Sequence, residues 1–198
     1  MKEKEIDGIR EMREAMKALG INLNELIART SLWVHPECYQ FHTKVHGNGI
    51  YYQNVRRMKK GERKRQIIDG ILADDNTYAN FAAKKLLGIK HAHIRNYAVC
   101  HIYENSCYDS KYHTELANLV LIPRPLASLS DYLPETIETL KYRSYESYGF
   151  FIGTAPNRPD NYPEVWKISG PLDERTKRVI QNKRVRVSGN EIEEQEFD

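Results

Sequence analysis

No stretch of the chain stays apolar for the roughly 18 residues that a membrane-crossing helix requires. The first residues, MKEKE, are charged, so neither a membrane anchor nor a secretory signal is expected. Cysteine is scarce. Cys38, Cys100 and Cys107 are too few and too scattered for a disulfide framework, and no CxxC pair marks a structural zinc site. Such thiols fit a reducing, cytoplasmic compartment. His35, His42, His46, His91 and His93 follow no zinc-ligand spacing. No internal repeat appears, and eight prolines argue against a coiled coil.

What remains is the composition of a folded protein, 40% hydrophobic and 29% charged over 198 residues, long enough to bury one real core. The net charge of +3 is modest, but it is unevenly spread. Residues 56–65, RRMKKGERKR, hold Arg56, Arg57, Lys59, Lys60, Arg63, Lys64 and Arg65. A second basic group runs from Arg175 to Arg186, and the tail EIEEQEFD is acidic. A charge run is ordinarily a solvated face. This density exceeds what solubility requires, and phosphate contact is its physical use, so the seven cations are candidate DNA-binding residues.

Hydrophobic spacing divides the chain into elements. Ile6, Ile9, Met12, Met16 and Leu19 form a helical stripe over residues 3–19, stopped by Gly20. A short helix over 22–29 opens at Asn22 or Asn24, and SLWVHP is an extended piece ended by Pro36. Residues 40–52 have no clear period and are expected to be loop or irregular strand. Ile67, Ile68, Ile71 and Leu72 on one side, with arginines and lysines opposite, predict a helix with a cationic face over 62–72. In the next segment Asp74 or Asp75 can cap a helix with a buried stripe of Tyr78, Phe81, Ala82 and Leu86, ended by Gly88. HIRNYAVCHIY and LANLVLI then read as two strands joined by the polar loop NSCYDSKYHTE. LASLSDYL resumes helical spacing, and a further helix runs from Pro134 to Gly149. A proline-rich segment, one short strand at KRVRVS and a fraying acidic tail complete the chain.

A strand ended by His101, a loop, a strand opened by Asn118, and a helix form a pattern that resembles the ββα core of HNH-type endonucleases, including restriction and phage-associated members. AVCHI, YHT and ANLVLIPRPLASLSD carry the resemblance. Gly49-Ile50-Tyr51 is half of a GIY-YIG nuclease signature whose other half is absent. The HNH resemblance implies a ββα-metal core within residues 91–150; with the mostly helical and basic region read over 1–90 and an extension over 151–198, the expected fold is α+β. It implies duplex DNA as substrate and a divalent ion, Mg2+ or Mn2+, as cofactor. A dimer would let one site per subunit cut each strand, although no sequence feature requires one.

The resemblance makes His101 the general base, with an imidazole able to accept a proton from water at neutral pH, and Asn118 the residue that holds the His-bearing loop. The metal half departs from the family pattern. Cys100 stands where an Asp or His usually precedes the base, and Ala127 stands at the usual helix ligand. Asp131, one helical turn beyond Ala127, can replace the lost ligand and suits a hard ion, whereas Cys100 would suit a softer metal or serve as a small buried residue. Glu104, Asp109 and His113 are reserve ligands. The missing ligands also admit a second reading: a noncatalytic DNA-binding or regulatory protein on the same scaffold.

Overall fold

The computed structural model of the chain describes residues 7–89, 93–182, 185–188 and 191–194. Ile6 of the N-terminal stripe, His91, residues 195–198 of the acidic tail and the side chain of Arg186 lie outside that description. The fold is α+β. Among the described residues no helix is long and apolar enough to cross a membrane.

Three helices open the chain: α1 (Gly8–Ala18), α2 (Leu23–Thr30) and α3 (Pro36–His46). Asp7 caps α1 by accepting the Ile9 N–H, and Asn22 caps α2 by accepting that of Glu25. α1 buries none of its residues. The third helix falls where an irregular segment was expected. Its buried residues are Cys38 and His42, and His35 and Gly47 bound it, the latter left-handed at φ 80°. Polar His42 is buried and apolar Val45 exposed, so its sequence carries little amphipathic contrast.

The cationic helix expected over 62–72 does not exist. Three short strands replace it: β1 (Val55–Arg57), β2 (Ile67–Ile68) and β3 (Ile71–Asp74), in the order β1-β3-β2. β2 and β3 join through Asp69 and Gly70, both left-handed at φ 52° and 75°. A two-residue turn of this kind needs positive φ at both positions, and Asp-Gly supplies it. β1 runs parallel to β3 with Arg57 opposite Asp74. α4 (Thr77–Lys85) follows, opened by Asp74, whose carboxylate accepts the N–H groups of Thr77 and Tyr78.

The central hairpin pairs β4 (Tyr97–His101) with β5 (Leu119–Pro123), antiparallel, with His101 opposite Leu119 and Tyr97 opposite Pro123. Leu32 bridges to Leu121 on its flank. α5 (Arg124–Ala127), α6 (Leu129–Tyr132) and α7 (Pro134–Tyr148) follow, and Gly149 ends α7 at φ 68°. The Ser144 hydroxyl donates to the Ala117 carbonyl over 2.6 Å, which ties α7 to the entry of β5. α8 (Glu174–Gln181) packs on α3, where His46 bonds the Ile180 carbonyl. Beyond it, β6 (Val185–Ser188) pairs with β7 (Glu191–Glu194), so the start of the acidic tail is paired backbone where fraying was expected.

Two hydrophobic clusters flank the hairpin. One joins Leu32, Tyr52, Leu72, Leu86, Leu119 and Leu121 with Ile180; the other joins Ile27, Trp33, Cys100, Val120, Ile122 and Leu140 with Trp166. Both draw on all three segments of the chain, so the helical region, the hairpin region and the extension share their cores.

Candidate functional site

His101 ends β4. Alternation along a strand puts Tyr97, Val99 and His101 on one face and Cys100 on the other. Tyr97 and Val99 pack on the first cluster, while Cys100 and Ile102 belong to the second. The structure therefore does not bring Cys100 to His101: the thiol is 9% exposed and sits in the core on the far side of the strand. Its position beside the histidine in sequence puts the two side chains on opposite faces.

The His101 ring is half-buried, and its Nε2 lies 2.9 Å from the His113 carbonyl oxygen. A carbonyl only accepts, so Nε2 carries the hydrogen and, in the neutral ring, Nδ1 is left with the lone pair. Burial pushes the His101 pKa down to about 3; the charge of His113 adds to this, the bond to the His113 carbonyl opposes it, and Arg57 contributes least. The ring is neutral at pH 7.

Asn118 is fully buried and anchors the loop between the two strands. Its Oδ1 accepts the Tyr103 N–H over 3.2 Å, and its Nδ2 donates to Ser106 Oγ and to the Tyr112 carbonyl, each over 2.9 Å. Its backbone carbonyl accepts the Ile102 N–H over 3.0 Å. Both ends of the loop, next to His101 and next to His113, thus hang on one side chain.

His113 is buried, and its Nε2 donates to Asp74 Oδ2 over 2.9 Å. Its ring stacks on that of His101 at 5.2 Å between centroids and 12° between planes. Asp74 is itself 1% exposed, at the junction of β3 and α4. Sequence reasoning read Asp74 only as a helix cap, which it also is. Its second task depends on a partner 39 residues away, which no local spacing reveals.

Arg57 and Asp131 complete the surroundings. Arg57 is exposed at the end of β1, hydrogen-bonds the Cys107 thiol, and exerts its charge on His101 and Asp131. Burial pushes the Asp131 carboxyl up, and Arg57 opposes the shift. Asp131 is exposed on α6 and acts electrostatically on Cys107. Among the described residues no three of His, Cys, Asp and Glu converge as a metal-binding group. Ala127, on α5, offers no ligand.

The basic segment is not one continuous cationic face. Arg56 is 8% exposed, and its guanidinium forks onto Glu62 with both contacts at 2.7 Å, so its donors hold the loop together rather than face outward. These bonds and the Lys59 N–H hold the Glu62 carboxyl down to about 2. Lys64 Nζ meets Asp75 at 2.6 Å. Arg57, Lys59, Lys60, Arg63 and Arg65 are exposed.

No protein-family model, curated protein or solved structure matches the chain.

Proposed function

We propose that the protein is a metal-dependent endonuclease of the HNH type, hydrolysing phosphodiester bonds in duplex DNA, on a ββα core formed by β4, β5 and the helices that follow. The observation that carries this reading is the pairing of a tautomer-fixed histidine with a loop-pinning asparagine: His101 donates Nε2–H to a backbone carbonyl, and Asn118 fastens the loop that bears that carbonyl. A neutral imidazole with one nitrogen tied and the other left as acceptor is what proton abstraction from water requires.

In this reading His101 Nδ1 takes a proton from a water molecule, the resulting hydroxide forms a bond to phosphorus, and the bond from phosphorus to the leaving sugar oxygen breaks. That oxygen then takes up a proton, and the products are a phosphate monoester and an alcohol. A conjugate acid near pH 3 makes His101 a weak base in the unliganded protein. An adjacent phosphate anion favours the imidazolium and shifts the group back towards its working range. Arg57 would hold that phosphate in this reading, with the exposed Lys59, Lys60, Arg63 and Arg65 further along the same segment for the flanking backbone. Mg2+ or Mn2+ is the cofactor the HNH resemblance implies. Asp131 is the carboxylate the chain would contribute, and water and substrate oxygens ordinarily fill the remaining positions around such an ion.

The absence of a converging ligand set among the described residues favours a second reading, a noncatalytic DNA-binding protein on this scaffold. Incubating supercoiled plasmid with the full chain, with and without Mg2+ or Mn2+, separates the two. The nuclease reading expects metal-dependent nicking or linearisation. A protein that retards DNA in a gel but leaves plasmids of varied sequence intact at every metal concentration belongs to the second.

A further inference from the structure

His101 is restrained twice by one residue. The His113 carbonyl takes its Nε2–H, which fixes the tautomer, and the His113 ring lies almost parallel against its own, which limits rotation. His113 is held in turn. Its backbone N–H donates to the Asp109 carbonyl over 2.9 Å, and the next residue, Thr114, exchanges hydrogen bonds with Tyr52 through its hydroxyl. The ring has one polar anchor, Asp74, because its Nδ1 is buried without a partner. Asp74 is fixed by two N–H groups at the start of α4. A chain of contacts therefore runs from the start of α4, through a carboxylate and an imidazole, to the orientation of His101.

We propose that Asp74 and His113 form a buried positioning pair that sets the tautomer and the aim of His101. This deepens the nuclease reading and rests on it for its kinetic consequence, but its structural consequence stands independently. Neither residue reaches the reacting atoms: Asp74 acts through His113, and His113 through His101. Where carboxylates and carbonyls orient a metal-bound imidazole, their loss commonly costs about 10- to 100-fold in affinity or activity, and a comparable effect is expected here.

The experiment uses the full chain with 15N-labelled histidine. The ring nitrogen shifts of His101 report its tautomer, and plasmid cleavage with Mg2+ gives kcat and KM. The native protein is expected to show a single Nε2–H tautomer for His101; a mixture of tautomers there overturns the proposal without recourse to any variant. His113→Gln keeps a donor at the same reach for Asp74 and should hold the tautomer, with kcat within about threefold of native. His113→Leu removes the donor and should give mixed tautomers, with kcat down about 10- to 100-fold and KM within about threefold. A folded His113→Leu protein with the native tautomer and native kcat overturns the proposal. If the native chain does not cut DNA, the nuclease reading fails, and the tautomers of the native protein and the two variants still decide the role of the pair.

Discussion

Replacing Asn118 with Ala removes three side-chain hydrogen bonds in the interior: to the Tyr103 N–H at 3.2 Å, and to Ser106 Oγ and the Tyr112 carbonyl at 2.9 Å each. A net contribution of about 1 kcal/mol per bond gives roughly 3 kcal/mol. Ser106 keeps its own bond to the Tyr103 carbonyl and the Tyr112 carbonyl keeps the Glu115 N–H, but the Tyr103 N–H loses Asn118 Oδ1. Leaving that N–H unpaired in the interior adds about 1 kcal/mol or more. The expected loss is therefore about 3 to 5 kcal/mol, a fall in Tm on the order of 10 °C for a chain of this size. Asn118→Asp should be no better, because it exchanges the donor aimed at the Tyr112 carbonyl for an acceptor. Urea unfolding followed by circular dichroism measures both variants. Amide exchange across 103–113 should quicken at the same time, since one side chain ties both ends of that loop. A loss below about 1 kcal/mol, with exchange in the loop unchanged, would show that the loop does not hang on Asn118.

Two further predictions concern charge. Burial pushes the Glu115 carboxyl up to about 7, above its ordinary value near 4.3 in the unfolded chain. Between those values the folded state holds a proton that the unfolded state has released, so this stabilisation is complete below about pH 4 and is lost as pH rises through 7. Glu115→Gln should therefore gain up to about 3 kcal/mol over native at pH 8 and little at pH 4, read from urea midpoints at the two pH values; an equal effect at both would refute it. For DNA, Arg63→Ala combined with Lys64→Ala should weaken binding to any duplex alike and flatten the log K against log salt slope by up to about 2. Fluorescence anisotropy across a salt series measures this, and an unchanged slope would remove the segment from the interface.

Much of the architecture was legible where local and tertiary preferences agree. Asn22 capping α2, the stripe of α4, the two apolar strands around a polar loop, and the Pro134-to-Gly149 helix all follow from residue types at their own positions. The region 62–72 was misread because Ile67, Ile68, Ile71 and Leu72 satisfy a helical stripe as well as a two-strand pattern. The deciding signal was Asp69-Gly70, a two-residue turn that breaks a helix and closes a hairpin. α3 was missed for the opposite reason: polar His42 is buried and apolar Val45 exposed, which blurs the stripe that marks a surface helix. In the candidate site, His101 and Asn118 were named through the HNH resemblance that their places at the ends of two strands carry. The second task of Asp74, the nearness of Arg57 to His101 and the anchoring role of His113 could not, because β1 and β3 bring Arg57 and Asp74 to the hairpin from distant sequence. Of the two roles left open for Cys100, the small buried residue is the one its place in the core fits, since neighbouring residues on a strand face opposite ways.

The central claim, that His101 abstracts the proton from the attacking water, is tested most directly by single-turnover plasmid cleavage with Mg2+ or Mn2+, comparing the native chain with His101→Ala at matched DNA affinity. Metal-dependent cutting by the native protein is expected, with a rate about 10²- to 10⁴-fold lower in the variant and folding and binding retained. Cleavage by His101→Ala at the native rate would contradict it.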